Sequence, residues 1–184
     1  RMRSERSIRT QSARHRGTQC AGVRVRVAID PHDYLSLSQL LSEYAAVVDA
    51  SDWDAWCEMF TEDCIYKLIP RENHERGLPL ATMDFESRGM LMDRAYAIRE
   101  TLFHDPYYQR HVVGAPRVLE FARDRIVCES NYAVFRTKLS ELSTVFNVGR
   151  YLDTVVRTDA GWRFAERLCV YDSELIPNSI IYPI

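Results

Sequence analysis

Near residue 111 the spacing of apolar residues along the chain changes from three-and-four to two. The first spacing suits a helix of 3.6 residues per turn. The second suits a strand, where successive side chains point to opposite faces. A chain that makes its helices first and a series of strands afterwards is an α+β fold. "HVVGAPRVLEFA" and "RIVCESNYAVFRTK" flank an Arg-Asp turn at 123–124. "LSTVFNVGRYLDTVVRT" and "GWRFAERLCVYDSE" flank "DAG" at 159–161, a hairpin signal. Runs of about ten residues or more are long for strands, so they predict a strongly curved antiparallel sheet. Gly149, inside the third run, predicts a bulge. The helices are expected to fill the concave face, making a cone.

The helical part has clear starts. Asp30-Pro31 opens the first helix, because an aspartate accepts from free amide groups and a proline suits the first turn. Tyr34, Leu37, Leu41, Tyr44 and Val48 then form one apolar face over 32–49. Trp53, Trp56, Cys57 and Phe60 predict a short second helix over 52–61, with both tryptophans in the core. "CIYKLI" (64–69) reads as a strand, and Pro70 to Met83, with Gly77 and Pro79, as a long loop. Asp84 or Ser87 can cap a third helix that runs to Leu102 on the stripe Leu91, Ala95, Ile98 and Leu102. Its Arg88, Arg94 and Arg99 read as a solvated face.

Charge divides the chain. Of 24 Lys+Arg, eight fall in residues 1–26; of 26 Asp+Glu, only Glu5 does. That leaves 16 bases against 25 acids in the other 158 residues, a balance of −9. Residues 1–29 are therefore expected to be a basic extension, non-native or disordered, and 30–184 a single domain. An acidic body lacks the basic footprint that nucleic-acid binding needs. No apolar run reaches the length of about 18 residues that a membrane helix requires. The five cysteines, at 20, 57, 64, 128 and 169, show no CxxC pair, which disfavours a disulfide framework or a zinc site and fits a reducing cytoplasm.

One stretch carries metal-ligating residue types. "HDPYYQRH" (104–111) holds two histidines and an aspartate, the set of a non-haem iron site. Pro106 breaks the helix that would align His104 with His111. A separation of seven is odd, so a strand would point the two rings to opposite faces. A turn at Asp105-Pro106, with His111 hydrogen-bonded at a strand start, accounts for the stretch better. Nucleotide and acyl-transfer fingerprints are absent, and no Cys-His spacing suits a Rieske centre. An acid/base pair inside a cone pocket is still open, with Asp49, Tyr66 and His111 as candidates.

Several strings taken together resemble a known family. "SEYAAVVDASDWDAWCEMFTEDCIYKL" is similar to the opening of the small, or β, subunit of aromatic-ring-hydroxylating Rieske oxygenases. "PRENHERGLPL", "RETLFHDPYYQRHVVGAPRVLE" and "RLCVYDSELIPNSIIYPI" resemble the salicylate 5-hydroxylase type, with the anthranilate and terephthalate types behind it. The resemblance spans residues 34–184. It implies a cone of the nuclear-transport-factor-2 kind and a cytoplasmic complex of three small and three large subunits. The large subunit would hold the Rieske [2Fe-2S] cluster and the mononuclear Fe(II), with a ferredoxin and a reductase bringing electrons from NADH. The small subunit would be structural, with no catalytic, cofactor or metal residues of its own, in an enzyme converting salicylate to gentisate. The alternative is a stand-alone dehydratase or isomerase that uses a His/Asp pair in the cone.

For the structural reading, the expected subunit contacts are Arg71, Glu72 and Arg76 in the long loop, and Tyr107 and Arg110 in "HDPYYQRH". Ile180, Ile181 and Tyr182 in the apolar tail are expected to pack on the cone or on a neighbouring small subunit, building a trimer.

Overall fold

The computed structural model describes residues 27–176 and 179–184; the expected basic extension falls largely on residues 1–26, outside these. Helix α1 covers Pro31–Asp49, with Asp30 accepting from the His32 amide at 2.8 Å. Leu37, Leu40, Leu41, Tyr44 and Val48 make its buried face. Helix α2 covers Trp53–Glu58 and is capped by Asp52, which accepts from the Ala55 amide at 3.1 Å. Both tryptophans are buried there, as the spacing predicts.

Strand β1 (Phe60–Pro70) is longer than its apolar run suggests. The segment after it is not one loop. It holds a short helix α3 (Arg71–Glu75) and a three-residue strand β2 (Met83–Phe85) paired to β1. Since Asp84 lies in β2, Ser87 caps α4 (Arg88–Tyr96). A turn of π-helix, Ala97–Thr101, extends α4 and closes with Leu102 N–H on the Ala97 oxygen at 2.8 Å.

The sheet strands that follow are β3 (Tyr108–Val113), β4 (Arg117–Ala122), β5 (Arg125–Thr137), β6 (Thr144–Thr158) and β7 (Gly161–Tyr171). "HVVGAPRVLEFA" is two strands, because Gly114-Ala115-Pro116 interrupts it and both halves pair to successive parts of β5. Strand β3 starts before His111, which therefore sits within it. The order is β2-β1-β7-β6-β5-β3, with β4 beside β5. All pairs are antiparallel except β1–β7, where the intervening helices and strands let the chain return in the same direction. Helix α1 packs on β3 and β7, inside the curve.

The bulges lie elsewhere than expected. Phe146 is the extra residue where β6 pairs β5, and Ala165 where β7 pairs β6. Gly149 pairs regularly with Tyr132 and Tyr171. Its role is close approach: a Cβ there would clash with the Val170 carbonyl oxygen and lie 2.8 Å from Tyr171 Cα. Both obstacles are backbone, so neither can rotate away. Gly149→Ala is expected to cost about 3 kcal/mol, the upper end of overpacking penalties, read as a lower urea midpoint with an unchanged slope.

Residues 179–184 return into the mouth of the curve. Ile180, Tyr182 and Ile184 are buried in the chain's own core. The Arg94 guanidinium donates to the main-chain oxygens of Ile180 at 3.3 Å and Ile181 at 2.5 Å. Arg94 is thus a clamp on the tail and not part of a solvated face. Arg88 reaches Glu58 and Glu62, and Arg99 reaches Asp54 at 2.8 Å, so the three arginines tie α4 to its neighbours.

Candidate functional site

The acid/base candidates divide in two. Asp49 ends α1 and His111 lies on the inward side of β3, and the fold brings them together. His111 Nδ1 stands 2.7 Å from Asp49 Oδ1, and the His111 amide donates to both carboxylate oxygens at 3.0 and 3.1 Å. Arg110, on the outward side, pairs with the same carboxylate at 3.3 Å. With Nδ1 directed at Asp49, Nε2 is left buried without a hydrogen-bond partner. Tyr66 lies elsewhere, at the deep end of the curve. Its hydroxyl accepts the Ile184 amide at 2.8 Å and lies 3.1 Å from the Ile184 main-chain oxygen.

"HDPYYQRH" cradles the tail. His104 Nε2 meets the Tyr182 hydroxyl at 2.8 Å, and the Tyr107 ring lies 4.6 Å from the Tyr182 ring. Gln109 Nε2 donates to the Pro183 oxygen at 3.3 Å, and Asp105 pairs with Lys138 at 2.6 Å. His104 and His111 therefore serve different partners. Among the described residues, no three of His, Cys, Asp and Glu are grouped so as to hold a metal ion. The four described cysteines are free and buried.

A further constellation was not anticipated. Arg167 on β7 and Asp153 on β6 face each other across the ladder and are fully buried, with two bonds of 2.8 Å. The guanidinium carbon lies 3.9 Å from the Tyr44 ring centre and 4.1 Å from those of Tyr151 and Phe164. Position parity carried the signal: Asp153 shares its face of β6 with Tyr151, and Arg167 its face of β7 with Cys169.

Burial sets the protonation of this interior. It lifts the Cys169 and Cys128 thiols to about 12 and those of Cys57 and Cys64 to about 11, from an ordinary 9.0. The Tyr44, Tyr66 and Tyr151 phenols rise for the same reason. A raised folded value stabilises the fold fully below the unfolded value and loses that contribution as pH climbs toward the folded one. Urea midpoints are therefore expected to hold near pH 8 and fall progressively from about pH 9 to 12, and a flat profile across that range would contradict a neutral, closed interior.

Clefts lined by described residues open outward, and three of them bear on the expected contacts. The first, of about 560 Å³, is lined by Arg71, Glu72, Glu75 and Arg76 together with Asp172 and Glu174. It gathers the three expected contact residues of the 70–83 segment, with Arg71 held by Asp172 at 2.7 Å and Arg76 by Glu72 at 2.6 Å. The second, about 520 Å³, runs along β2 to Ile180, and the third, about 210 Å³, lies beside Phe103, Tyr107 and Ile181. None of the three is lined by Asp49 or His111.

A curved sheet closed over helices defines the class. The chain belongs to the SnoaL-like domain family, whose model matches residues 31–168. Within that class it belongs with the small subunits of aromatic-ring-hydroxylating dioxygenases. It is 32% identical to the anthranilate 1,2-dioxygenase small subunit of Burkholderia cepacia, over 84% of this chain and 96% of that one. It is 28% identical to the terephthalate 1,2-dioxygenase terminal oxygenase component subunit beta 1 of Comamonas sp, over 82% and 97%. A crystal structure assigned as the beta subunit of such a dioxygenase, from Novosphingobium aromaticivorans, superposes with a TM-score of 0.76 at 29% identity, over 83% and 97%.

Proposed function

We propose that this chain is the structural small subunit of a multicomponent oxygenase acting on an aromatic acid, and that it performs no chemistry itself. The observation that carries the reading is the filled interior: the space where a cone enzyme would hold substrate contains Ile184, Tyr44, Tyr66 and the caged Arg167–Asp153 pair. The relatives named for anthranilate and terephthalate support a ring bearing a carboxylate. Salicylate-to-gentisate conversion is the particular reaction favoured by the resemblance of the strings around residues 70–80, 99–120 and 167–184.

In this proposal a large subunit carries the Rieske cluster and the mononuclear iron, three large subunits assemble with three small ones, and a ferredoxin and a reductase pass electrons from NADH in the cytoplasm. Among the described residues no helix is long and apolar enough to cross a membrane. The cleft rim of Arg71, Glu72 and Arg76, with Tyr107 and Arg110, supplies contacts to the large subunit, since arginine and tyrosine favour interface cores. Within the chain, Ile180 and Tyr182 are committed to its own core, which leaves Ile181 as the half-buried tail residue available to a neighbouring small subunit.

The test is purification with the products of neighbouring genes. Iron is expected to elute with a large subunit that this chain accompanies, while the chain alone holds far less than one iron per molecule. A chain that elutes alone, or that carries about one tightly held metal itself, overturns the reading.

A further inference from the structure

Three donors converge on one oxygen at the deep end of the cone. The Tyr44 hydroxyl donates to the Ile184 main-chain oxygen at 2.7 Å, the Tyr66 hydroxyl lies at 3.1 Å, and Cys169 Sγ at 3.4 Å. Tyr66 also accepts the Ile184 amide at 2.8 Å, so one hydroxyl meets both the N–H and the main-chain oxygen of a single residue, on either side of its Cα. Tyr44, Tyr66 and Cys169 come from α1, β1 and β7, and each is already held by the aromatic core. The donors are thus built into the walls and not into the segment that fills the space. That segment, 179–184, belongs to no helix or strand and is held by side chains of the walls: Arg94, Gln109, His104, Tyr44 and Tyr66.

We propose that the deep end of the cone is a binding site for an apolar peptide residue, and that residues 179–184 occupy it as a tethered, exchangeable plug. The chemistry of the ligand follows from the walls. An oxygen acceptor must meet two phenol donors, an N–H set one carbon away from that carbonyl must meet Tyr66, and the carbon between them must carry a branched aliphatic group in the place of the Ile184 side chain. A second apolar group, aromatic, fits where the Tyr182 ring lies 5.2 Å from Trp53. Short apolar peptides have this pattern. The proposal concerns a property of the cone itself and stands apart from the subunit role.

Exchange tests it in the full chain. A protease site replacing Pro177-Asn178 allows the tail to be cut after folding, and a fluorophore-labelled peptide of residues 179–184 serves as the probe. The cut chain is expected to keep its fold by circular dichroism, to release its own tail into excess peptide, and to change its tryptophan emission as Tyr182 leaves Trp53. Tyr44→Phe with Tyr66→Phe, in the same cleavable chain, is expected to weaken peptide binding at least about tenfold, as the loss of two buried hydrogen bonds requires. The proposal is overturned if cutting unfolds the chain, if the tail does not exchange, or if the phenylalanine variant binds as tightly.

Discussion

Asp153→Ala is expected to destabilise the fold by about 3–5 kcal/mol, the range for removing one partner of a buried ion pair. Arg167 is fully buried, and its two bonds to Asp153 are its only anionic partnership among the described residues. Three aromatic faces flank the guanidinium and offer cation–π attraction, which softens but does not replace a carboxylate. Arg167 Nη1 already lacks a hydrogen-bond partner, so nothing is in place to accept the freed donors. For a domain of this size the loss corresponds to a fall in Tm of about 6–20 °C. The loss shrinks when both charges go: Asp153→Leu with Arg167→Met is expected to recover most of it, because the desolvation of both ions disappears with their attraction. Thermal melts of the two variants decide it. A fall below about 1 kcal/mol for Asp153→Ala would mean that Arg167 finds another anion or water.

This pair also marks the boundary of what the sequence discloses. The period change near residue 111, the Asp30 cap and the Trp53/Trp56 core face are local signals; they place α1, the start of α2 and strands β5 to β7, whereas the single run "HVVGAPRVLEFA" becomes β3 and β4. The parallel β1–β7 pairing, the three-residue β2 and the Phe146 and Ala165 bulges depend on contacts between distant segments, which no local period encodes. Gly149 was legible as special, but its reason lies on a neighbouring strand. Asp49, His111 and Tyr66 were legible singly as candidates. Their sorting into one pair and one tail anchor depends on separations of 62 and 118 residues. Arg94 shows the converse failure: an arginine on a helix reads as solvated until the tail that it holds has been placed.

Asp49→Ala is the second large effect, expected at about 3 kcal/mol from the desolvated groups that it would orphan. A carboxylate in the last turn of α1 opposes the helix dipole, so its position is not explained by the helix itself. The tertiary bonds explain it. Strand β3 ends the strand order and, among the described residues, has no strand on its other side, so its edge amides need partners. Asp49 supplies one by accepting the His111 amide with both oxygens, and holds the imidazole of the same residue. Alanine would leave that amide and Nδ1 buried and unpaired, next to an Nε2 that already lacks a partner. Amide hydrogen exchange is expected to quicken first along β3, where the clamp is lost, and only later in β5–β7. Asp49→Asn, which keeps an acceptor for the amide, is expected to fall between the wild type and alanine. The same variants separate a clamp from a catalyst. In a complex assembled with its large subunit, a clamp predicts turnover per assembled complex close to wild type for Asp49→Asn, with the loss confined to stability. If Asp49→Asn kept its stability while turnover per assembled complex collapsed, the Asp49–His111 pair would belong to the chemistry, and the filled cone would no longer argue for a purely structural subunit.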